Sequence, residues 1–339
     1  KIYNIYIMQN TQIIMNSRLV YINGKFVSEK DAKISIYDSA LMFGDMVFEM
    51  TRSFKHEQFK LKEHLQRLLR GTKIYRIPLN LSIDDLTKIC EETVKKNQSF
   101  FNKNDEHRLM INVSRGPLGP YSEVFDNKME PTLVVSDFPL KWTISSMWKL
   151  FEEGINGVIT NQKAIPYYYL DPKIKNRSRV FYQMANIEAS DYKGKNNWAI
   201  LTDKDGYIAE GSGCNIFIVK KNKIYTPHGK DCLVGISRNY IFDLADELGY
   251  ECVEKNIEPY DMYDADEAFA TGTPFCILPI CRLNNIDIGN GKFSLITSKL
   301  LEKWSENVGL NIIEQMREYY LEFHGSKKNN LTSIYQFKK

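Results

Sequence analysis

Apolar and polar positions alternate on either side of a tight turn near the start of the chain. Leu19-Val20-Tyr21-Ile22 and Lys25-Phe26-Val27 flank Asn23-Gly24, a dipeptide suited to the positive φ angles of a two-residue hairpin. A second pair of strands is expected at about 47–54 and 59–61, linked by polar Lys55-His56-Glu57-Gln58. The period then lengthens. Leu65, Leu68, Leu69, Thr72 and Tyr75 recur at helical spacing, which predicts an amphipathic helix over about 62–76 that stops before Pro78. Ser82, with Asp85 three residues on, reads as the capping box of a second helix whose apolar face is Ile83, Leu86, Ile89, Cys90 and Val94. Strands at about 107–114 and 131–137 close this N-terminal part, and the Pro/Gly-rich run from Arg115 to Pro120 between them reads as a loop.

The second half is patterned as short strands at about 157–160, 198–202, 216–219, 223–225 and 268–270, with helices at about 177–189, 237–248 and 293–307. Ser237 opens the middle helix, and Gly249 suits its left-handed C-terminal position. The expected organisation is an N-terminal extension (1–16), a small α/β domain (17–137), a linker (138–148), a large domain (149–324) and a mobile Lys/Asn/Ser-rich tail (325–339). In class this is an α+β protein.

Composition narrows the functional classes. The 339 residues carry a formal charge of only +3, and the basic residues are scattered and answered by nearby acids, so no nucleic-acid stripe forms. No apolar run reaches the roughly 18–20 residues of a membrane span, and Lys1–Met15 lacks the pattern of a signal peptide. The six cysteines form no C-x-x-C pair and the histidines are not at ligand spacing, which points to reduced thiols in a cytoplasmic protein and to no metal site.

Five segments carry candidate chemistry. Lys175 sits in the basic run from Asp171 to Arg179. Clustered positive charge favours a neutral amine among its members, the form that attacks a carbonyl. Glu210 is a carboxylate in the Gly/Ser-rich stretch from Gly206 to Phe217, read as a bend between two apolar strands, where an acid must be paired or reach a cation. Gly235-Ile236-Ser237-Arg238 opens a helix, and helix N-termini hold phosphate. Ala270-Thr271-Gly272-Thr273 is a hydroxyl-bearing bend, and Arg67, next to Leu68, is placed to point inward from its helix. Lys163 and Lys173 are rival candidates to Lys175.

Order and spacing of these segments resemble the class-IV, fold-type IV, pyridoxal-phosphate aminotransferases over about residues 17 to 310. The motifs that carry the likeness are Phe43-Gly44-Asp45 with Phe48-Glu49, His64-Leu65-Gln66-Arg67-Leu68 and Lys73–Pro78. They continue with Ile174-Lys175-Asn176, Glu210–Asn215, Gly235–Arg238, Asp266-Glu267 and Thr271-Gly272-Thr273. The resemblance implies two domains, the larger with a β-barrel-like core, and pyridoxal 5'-phosphate as cofactor. It implies Lys175 as the Schiff-base and proton-carrying lysine, and Glu210 as the partner of the pyridine nitrogen. Arg67, the N–H groups of Ile236 and Ser237, and Thr273 would hold the phosphate. A homodimer with sites near the subunit interface is implied as well.

Within that family the likeness is nearest to the branched-chain enzymes, which implies transamination between a hydrophobic L-amino acid and 2-oxoglutarate. Several positions depart from the pattern. Phe43 stands where those relatives usually carry Tyr. Pro274 replaces a residue whose N–H meets the substrate carboxylate, and Phe275 is bulky enough to narrow the site. Phe43, Phe48, Arg108, Arg115 and Pro274 are therefore the candidate substrate residues, with Arg108 and Arg115 as carboxylate partners. Tyr121 and Glu123 fall where D-amino acid enzymes carry Arg and His. A different amino donor (a D-amino acid or an amine), an aminodeoxychorismate-lyase-like activity and a non-catalytic cofactor-binding protein stay open as alternatives.

Overall fold

Asn23 and Gly24 take positive φ angles of 43° and 85°, and across them β1 (Leu19–Ile22) pairs with β2 (Lys25–Ser28) in the expected hairpin. The computed structural model describes residues 17–325. The expected N-terminal extension (1–16) and all but the first residue of the expected tail lie outside them. The chain divides into two compact units. In the first are the residues up to Leu140 together with Ile174–Ser178; in the second are Lys141–Lys173 and the residues from Arg179 onward. The segment that carries Lys175 thus groups with the first unit, although it falls inside the 149–324 stretch assigned by sequence to the large domain.

The first unit is an antiparallel sheet in the order β2-β1-β7-β6-β3, where β3 is Met46–Met50, β6 is His107–Ser114 and β7 is Thr132–Pro139. Between β3 and β6 lie a short ribbon, β4 (Ser53–Phe54) with β5 (Glu57–Gln58), and two helices. The polar stretch read as a link therefore supplies the return strand itself, because Lys55 and His56 turn the chain with φ of 52° and 68°. The helices are α2 (Leu61–Ile74) and α3 (Ile83–Asn97), and α3 carries the Ser82/Asp85 capping box. A shorter helix, α1 (Ser39–Phe43), precedes β3. Side chains alternate across a strand. Val47, Leu109, Ile111, Val113, Leu133 and Val135 face the helices and pack with Leu65, Leu68, Leu86, Cys90 and Ile174. Gly71 lets α2 approach β3, since a Cβ there would lie 3.1 Å from Val47.

The second unit begins with α4 (Lys141–Ile144) and α5 (Lys149–Glu153) and is built on a mixed sheet. Its strands are β8 (Ile155–Ile159), β9 (Asn197–Thr202), β10 (Ile208–Gly211), β11 (Asn215–Lys220), β12 (Lys223–Thr226), β13 (Cys252–Glu254), β14 (Glu267–Gly272) and β15 (Cys276–Leu283). They run in the order β10-β9-β8-β15-β14-β11-β12-β13, with β16 (Ile286–Asp287) beside β15. A bridge from Gly211 to Cys214 ties β10 back to β11, so the sheet curls on itself. This is the β-barrel-like core expected of a fold-type IV protein. The helices are α6 (Val180–Asp191), α7 (Ile236–Glu247), α8 (Pro259–Tyr263), α9 (Leu295–Val308) and α10 (Ile312–Gly325). Sequence pattern stopped at α9 and missed α10, as it missed β10, β13, β15 and β16. The six cysteines are all free thiols, five of them buried.

Gly24 and Gly116 share a φ of +85° but not their surroundings. A Cβ on Gly24 meets nothing within 4 Å, whereas on Gly116 it would lie 1.9 Å from the Glu130 carbonyl oxygen. Gly24→Ala should therefore cost about 1–2 kcal/mol of unfolding free energy, the left-handed backbone term alone. Gly116→Ala should cost about 1–3 kcal/mol more from the collision. Urea unfolding of both variants reads the difference, and equal losses would show that the β6–β7 connection yields freely.

Candidate active site

In the first unit the site is built on the free edge of β3. The Ile174–Ser178 segment runs antiparallel to it, with the Phe48 N–H donating to the Lys175 carbonyl (2.9 Å) and the Arg177 N–H to the Met46 carbonyl (2.9 Å). Strand alternation then decides which way each side chain goes. Ile174 joins the helix-covered core. Lys175 and Arg177 go to the opposite face, where the Lys175 Nζ lies 5.0 Å and the Arg177 Cζ 3.6 Å from the centre of the Phe48 ring. Ser178 fastens the far end, its hydroxyl donating to the carbonyls of Phe43 and Gly44.

On the helix-covered face, Glu49 is a fully buried carboxylate between β3 and α2. The Arg67 guanidinium grips it with two hydrogen bonds, Nε to Oε1 (2.6 Å) and Nη2 to Oε2 (2.8 Å), and His64 Nδ1 donates to Oε2 (2.7 Å). Burial by itself would raise this carboxyl, but Arg67 and then His64 hold it well below the ordinary carboxylate range. Burial keeps His64 below the usual histidine range despite Glu49, and the cations of Arg67 and Lys175 add to the effect. His64 is thus a neutral donor. Arg67 points inward, as its place beside Leu68 suggested, and is 7% exposed.

The second unit brings its sequence-predicted segments together through a chain of contacts. Glu210 sits within β10, buried, instead of in a bend between strands. The Tyr182 hydroxyl of α6 donates to its Oε1 and the Leu233 N–H to its Oε2 (3.0 Å). Burial, then the Glu210 charge, pushes the Tyr182 phenol well above its usual value, so it remains a donor. The same two causes push the thiols of Cys214 and Cys232 up to about 12, which leaves them inert. The Leu233 carbonyl accepts from Asn215 Nδ2 (2.7 Å), and Asn215 pairs in register with Thr271 on β14. Gly235 leaves room for the Asn215 side chain, since a Cβ would lie 2.3 Å from Asn215 Oδ1. It stands at the N-terminus of α7 with no side-chain cap, so the first N–H groups of that helix, those of Ile236 and Ser237 among them, are not used by a capping side chain.

The rival lysines are engaged elsewhere. Lys163 donates to the Thr202 hydroxyl (2.6 Å), and Lys173 is an exposed partner of Asp171. Thr273, Pro274 and Phe275 form the loop between β14 and β15, whose pairing ends at Gly272 and Cys276. The Phe275 ring is fully buried against Trp198 and fills the space over Gly272. Arg115 is tied by two bonds to Asp45 and by one each to the carbonyls of Tyr75 and Arg76. Arg108 is buried beside the Phe138 ring, on the sheet face shared with Met110 and Asn112. Phe43 is 68% exposed at the end of α1. Sequence reasoning assigned no role to Glu49, His64, Tyr182, Asn215, Asn112 or Arg177. Only Glu49, a lone acid inside an apolar strand, gave a local signal.

Comparison with known proteins identifies the class of this chain. The amino-transferase class IV family matches residues 46–283, and the chain belongs to that family. A Methanocaldococcus jannaschii protein assigned as a branched-chain-amino-acid aminotransferase is 35% identical over 291 residues, covering 85% of this chain and 95% of the relative. The branched-chain-amino-acid aminotransferase of Escherichia coli is 29% identical over 287 residues, 83% of this chain and 90% of the relative. A crystal structure of the E. coli enzyme superposes with a TM-score of 0.75 at 26% identity, over 87% of this chain and 95% of that one. The T.th. branched-chain amino acid aminotransferase, solved with pyridoxamine 5'-phosphate, gives 0.76 at 26% identity, over 90% and 97%.

Because the Glu49 carboxyl is depressed in the folded protein, its stabilising contribution is present above the ordinary carboxylate range and is lost as pH falls. Glu49→Gln should cost about 3–5 kcal/mol at neutral pH, since it leaves a buried guanidinium without its counter-charge. The gap to the parent should shrink on acidification below the ordinary value of 4.5. Urea unfolding between neutral and acid pH measures it, and a gap that widens in acid contradicts the assignment.

Proposed function

We propose that this protein is a pyridoxal 5'-phosphate-dependent aminotransferase that exchanges an amino group between a hydrophobic, branched-chain-like L-amino acid and 2-oxoglutarate. The observation that carries the reading is the convergence in the second unit of a buried carboxylate, Glu210, with an uncapped helix N-terminus at Gly235, through Leu233 and Asn215. A carboxylate of that kind suits a protonated ring nitrogen, and a helix N-terminus suits a phosphate. The names of the relatives support the substrate class.

The donor set fits the cofactor, which when bound supplies a ring that withdraws electrons from the substrate α-carbon. Lys175 would hold it and would carry the proton to and from that carbon. Glu210, oriented by Tyr182, would face the ring nitrogen and favour its charged form. Arg67, the N–H groups of Ile236 and Ser237, and Thr273 receive the phosphate, and Glu49 with His64 fixes the Arg67 guanidinium for that task. On the substrate side, Phe48 and Arg108 share the Lys175 face of the first unit's sheet, and Phe43 and Pro274 border the substrate. Arg115 serves chiefly to tie Asp45 to the end of α2. The working form is a cytoplasmic homodimer, and the exposed apolar residues Leu41, Met42 and Phe43 suit a surface that a second copy covers.

Borohydride reduction of the cofactor-loaded protein followed by peptide mapping should find the pyridoxyl adduct on Lys175, and Lys175→Ala should carry none. An adduct on Lys163 or Lys173 overturns the assignment. Glu210→Gln should retain the cofactor and lose on the order of 10²-fold or more in turnover with leucine and 2-oxoglutarate. Turnover within about threefold of the parent would reduce Glu210 to a structural acid. If the parent transfers the amino group of a D-amino acid or a simple amine in preference to leucine, the substrate assignment falls and the family remains.

A further inference from the structure

In the second unit, the first turn of α7 carries an unusual residue at its third position. In α3 and α8 that position is an acid, Asp85 and Asp261, whose carboxylate accepts from the N–H of the capping residue (2.9 Å in both) and completes a capping box. In α7 the capping residue is Gly235 and the third residue is Arg238. A guanidinium only donates, so it accepts from no helix N–H, and the positive end of a helix disfavours a cation. Arg238 is nevertheless 2% exposed. One of its nitrogens, Nη2, donates to the Pro227 carbonyl (2.8 Å) and to Glu254 Oε1 (2.6 Å). Its Cζ lies 5.4 Å from the centre of the Phe242 ring on the same helix. Pro227 follows β12 and Glu254 ends β13, two strands that pair in parallel with Thr226 opposite Glu254. The guanidinium thus stitches the first turn of α7 to two strand ends and closes the loop that leads from β12 into the helix. Glu254 Oε2 gathers the start of that loop, 3.4 Å from His228 Nδ1 and 3.5 Å from the Gly229 N–H. Leu233, further along, has its own ties to Glu210 and Asn215, which leaves Arg238 to fix the helix start.

We infer that Arg238 is a positioning residue: acting through the helix, it holds the first turn of α7 so that the N–H groups of Ile236 and Ser237 converge on the cofactor phosphate. This rests on the reading of that turn as a phosphate site. A phosphate at a helix start needs N–H groups that no side chain has claimed, and neither Gly235 nor Arg238 offers them an acceptor. The same choice of residues removes the capping bonds that ordinarily hold a first turn in place. The Arg238–Glu254 pair supplies that hold from the strand side and leaves the N–H groups to a ligand. Because Glu254 answers the guanidinium charge, the attraction for the phosphate comes from the helix start, and Arg238 contributes its geometry.

The test is titration calorimetry of pyridoxamine 5'-phosphate and of pyridoxamine on the full chain freed of cofactor. Neither compound has a carbonyl for Lys175 to capture, and the two differ only in the phosphate. The parent comes first. If it binds both equally, the phosphate reading of α7 falls and the role of Arg238 falls with it, a failure separate from any result on the variants. Given a parent that prefers the phosphate ester, Arg238→Met should raise the Kd of the ester by about 10-fold or more and leave that of pyridoxamine within about threefold, as for the loss of a charge-assisted hydrogen bond at the phosphate alone. Arg238→Lys should recover much of the affinity, because an ammonium can serve both acceptors that Nη2 serves. Glu254→Ala should fall between the parent and Arg238→Met. It lies at the exposed end of the pair and decides the matter if Arg238→Met does not fold. An unchanged Kd of the ester in Glu254→Ala overturns the inference. So does an equal loss for both compounds, or a lowered melting temperature with the preference for the ester intact, since Arg238 would then only stabilise the fold.

Discussion

Two backbone hydrogen bonds on the edge of β3, from Phe48 to the Lys175 carbonyl and from Arg177 to the Met46 carbonyl, decide which side chains of the Ile174–Ser178 segment face the core and which lie over Phe48. In a strand, a slip of one residue sends every side chain to the other side. In this register Ile174 enters the core under α2, while Lys175 and Arg177 project over Phe48. Moved by one residue, the two cations would lie in the apolar layer and Asn176 would replace them on the face. The register is held from both sides. Ile174 packs with Val47 and Leu65, and Ser178 is bonded to the Phe43–Gly44 corner. Contacts at both ends of the segment thus govern where the Lys175 amine lies.

The sequence was most legible where one period ran unbroken against turn signals. In α2 and α3 the apolar stripe, the capping box and Pro78 all agree, and the structure reproduces α2 to within two residues and starts α3 at the Ser82 cap. The β1–β2 hairpin was as clear, because Asn23-Gly24 admits few other conformations. Legibility failed where a local rule pointed away from a tertiary solution. β15 contains Pro279, which argues against an inner strand. The strand survives because pairing to β8 starts only at Ile280, one residue later. β10 was read as a bend because Gly and Ser follow Glu210, yet the chain stays extended through Gly211 before the bridge to Cys214. The candidate site divides in the same way. Lys175, Arg67, Glu210 and the Gly235 turn stood out by motif. Tyr182 did not, since nothing in its own helix tells that its hydroxyl meets a carboxylate 28 residues further on. Arg177 was one member of a basic run until the pairing with β3 separated it from Arg179, which belongs to the second unit.

Two of the buried carboxylates, Glu49 and Glu210, show how similar groups are given different work by their partners. Glu49 is enclosed by the guanidinium that also serves as the phosphate candidate, so its charge is spent within the protein. That arrangement makes Arg67 rigid, but on the proposed reading it also means that a phosphate meets a guanidinium already half compensated. The uncapped N-terminus of α7 would make up the difference, because its N–H groups and partial positive charge add attraction without another buried ion. Glu210 is solvated instead by a phenol and a backbone N–H. Neutral donors of this kind stabilise a carboxylate without neutralising it. Exchanging these environments would give a silent Glu210 and a misplaced Arg67. Asn215 ties the two needs of the second unit together. It holds the Leu233 carbonyl while the Leu233 N–H holds Glu210, so one peptide sets both the acid and the entry to the helix. A Cβ at position 235 would lie 2.3 Å from Asn215 Oδ1, so a residue larger than Gly there would press on the side chain that holds this peptide.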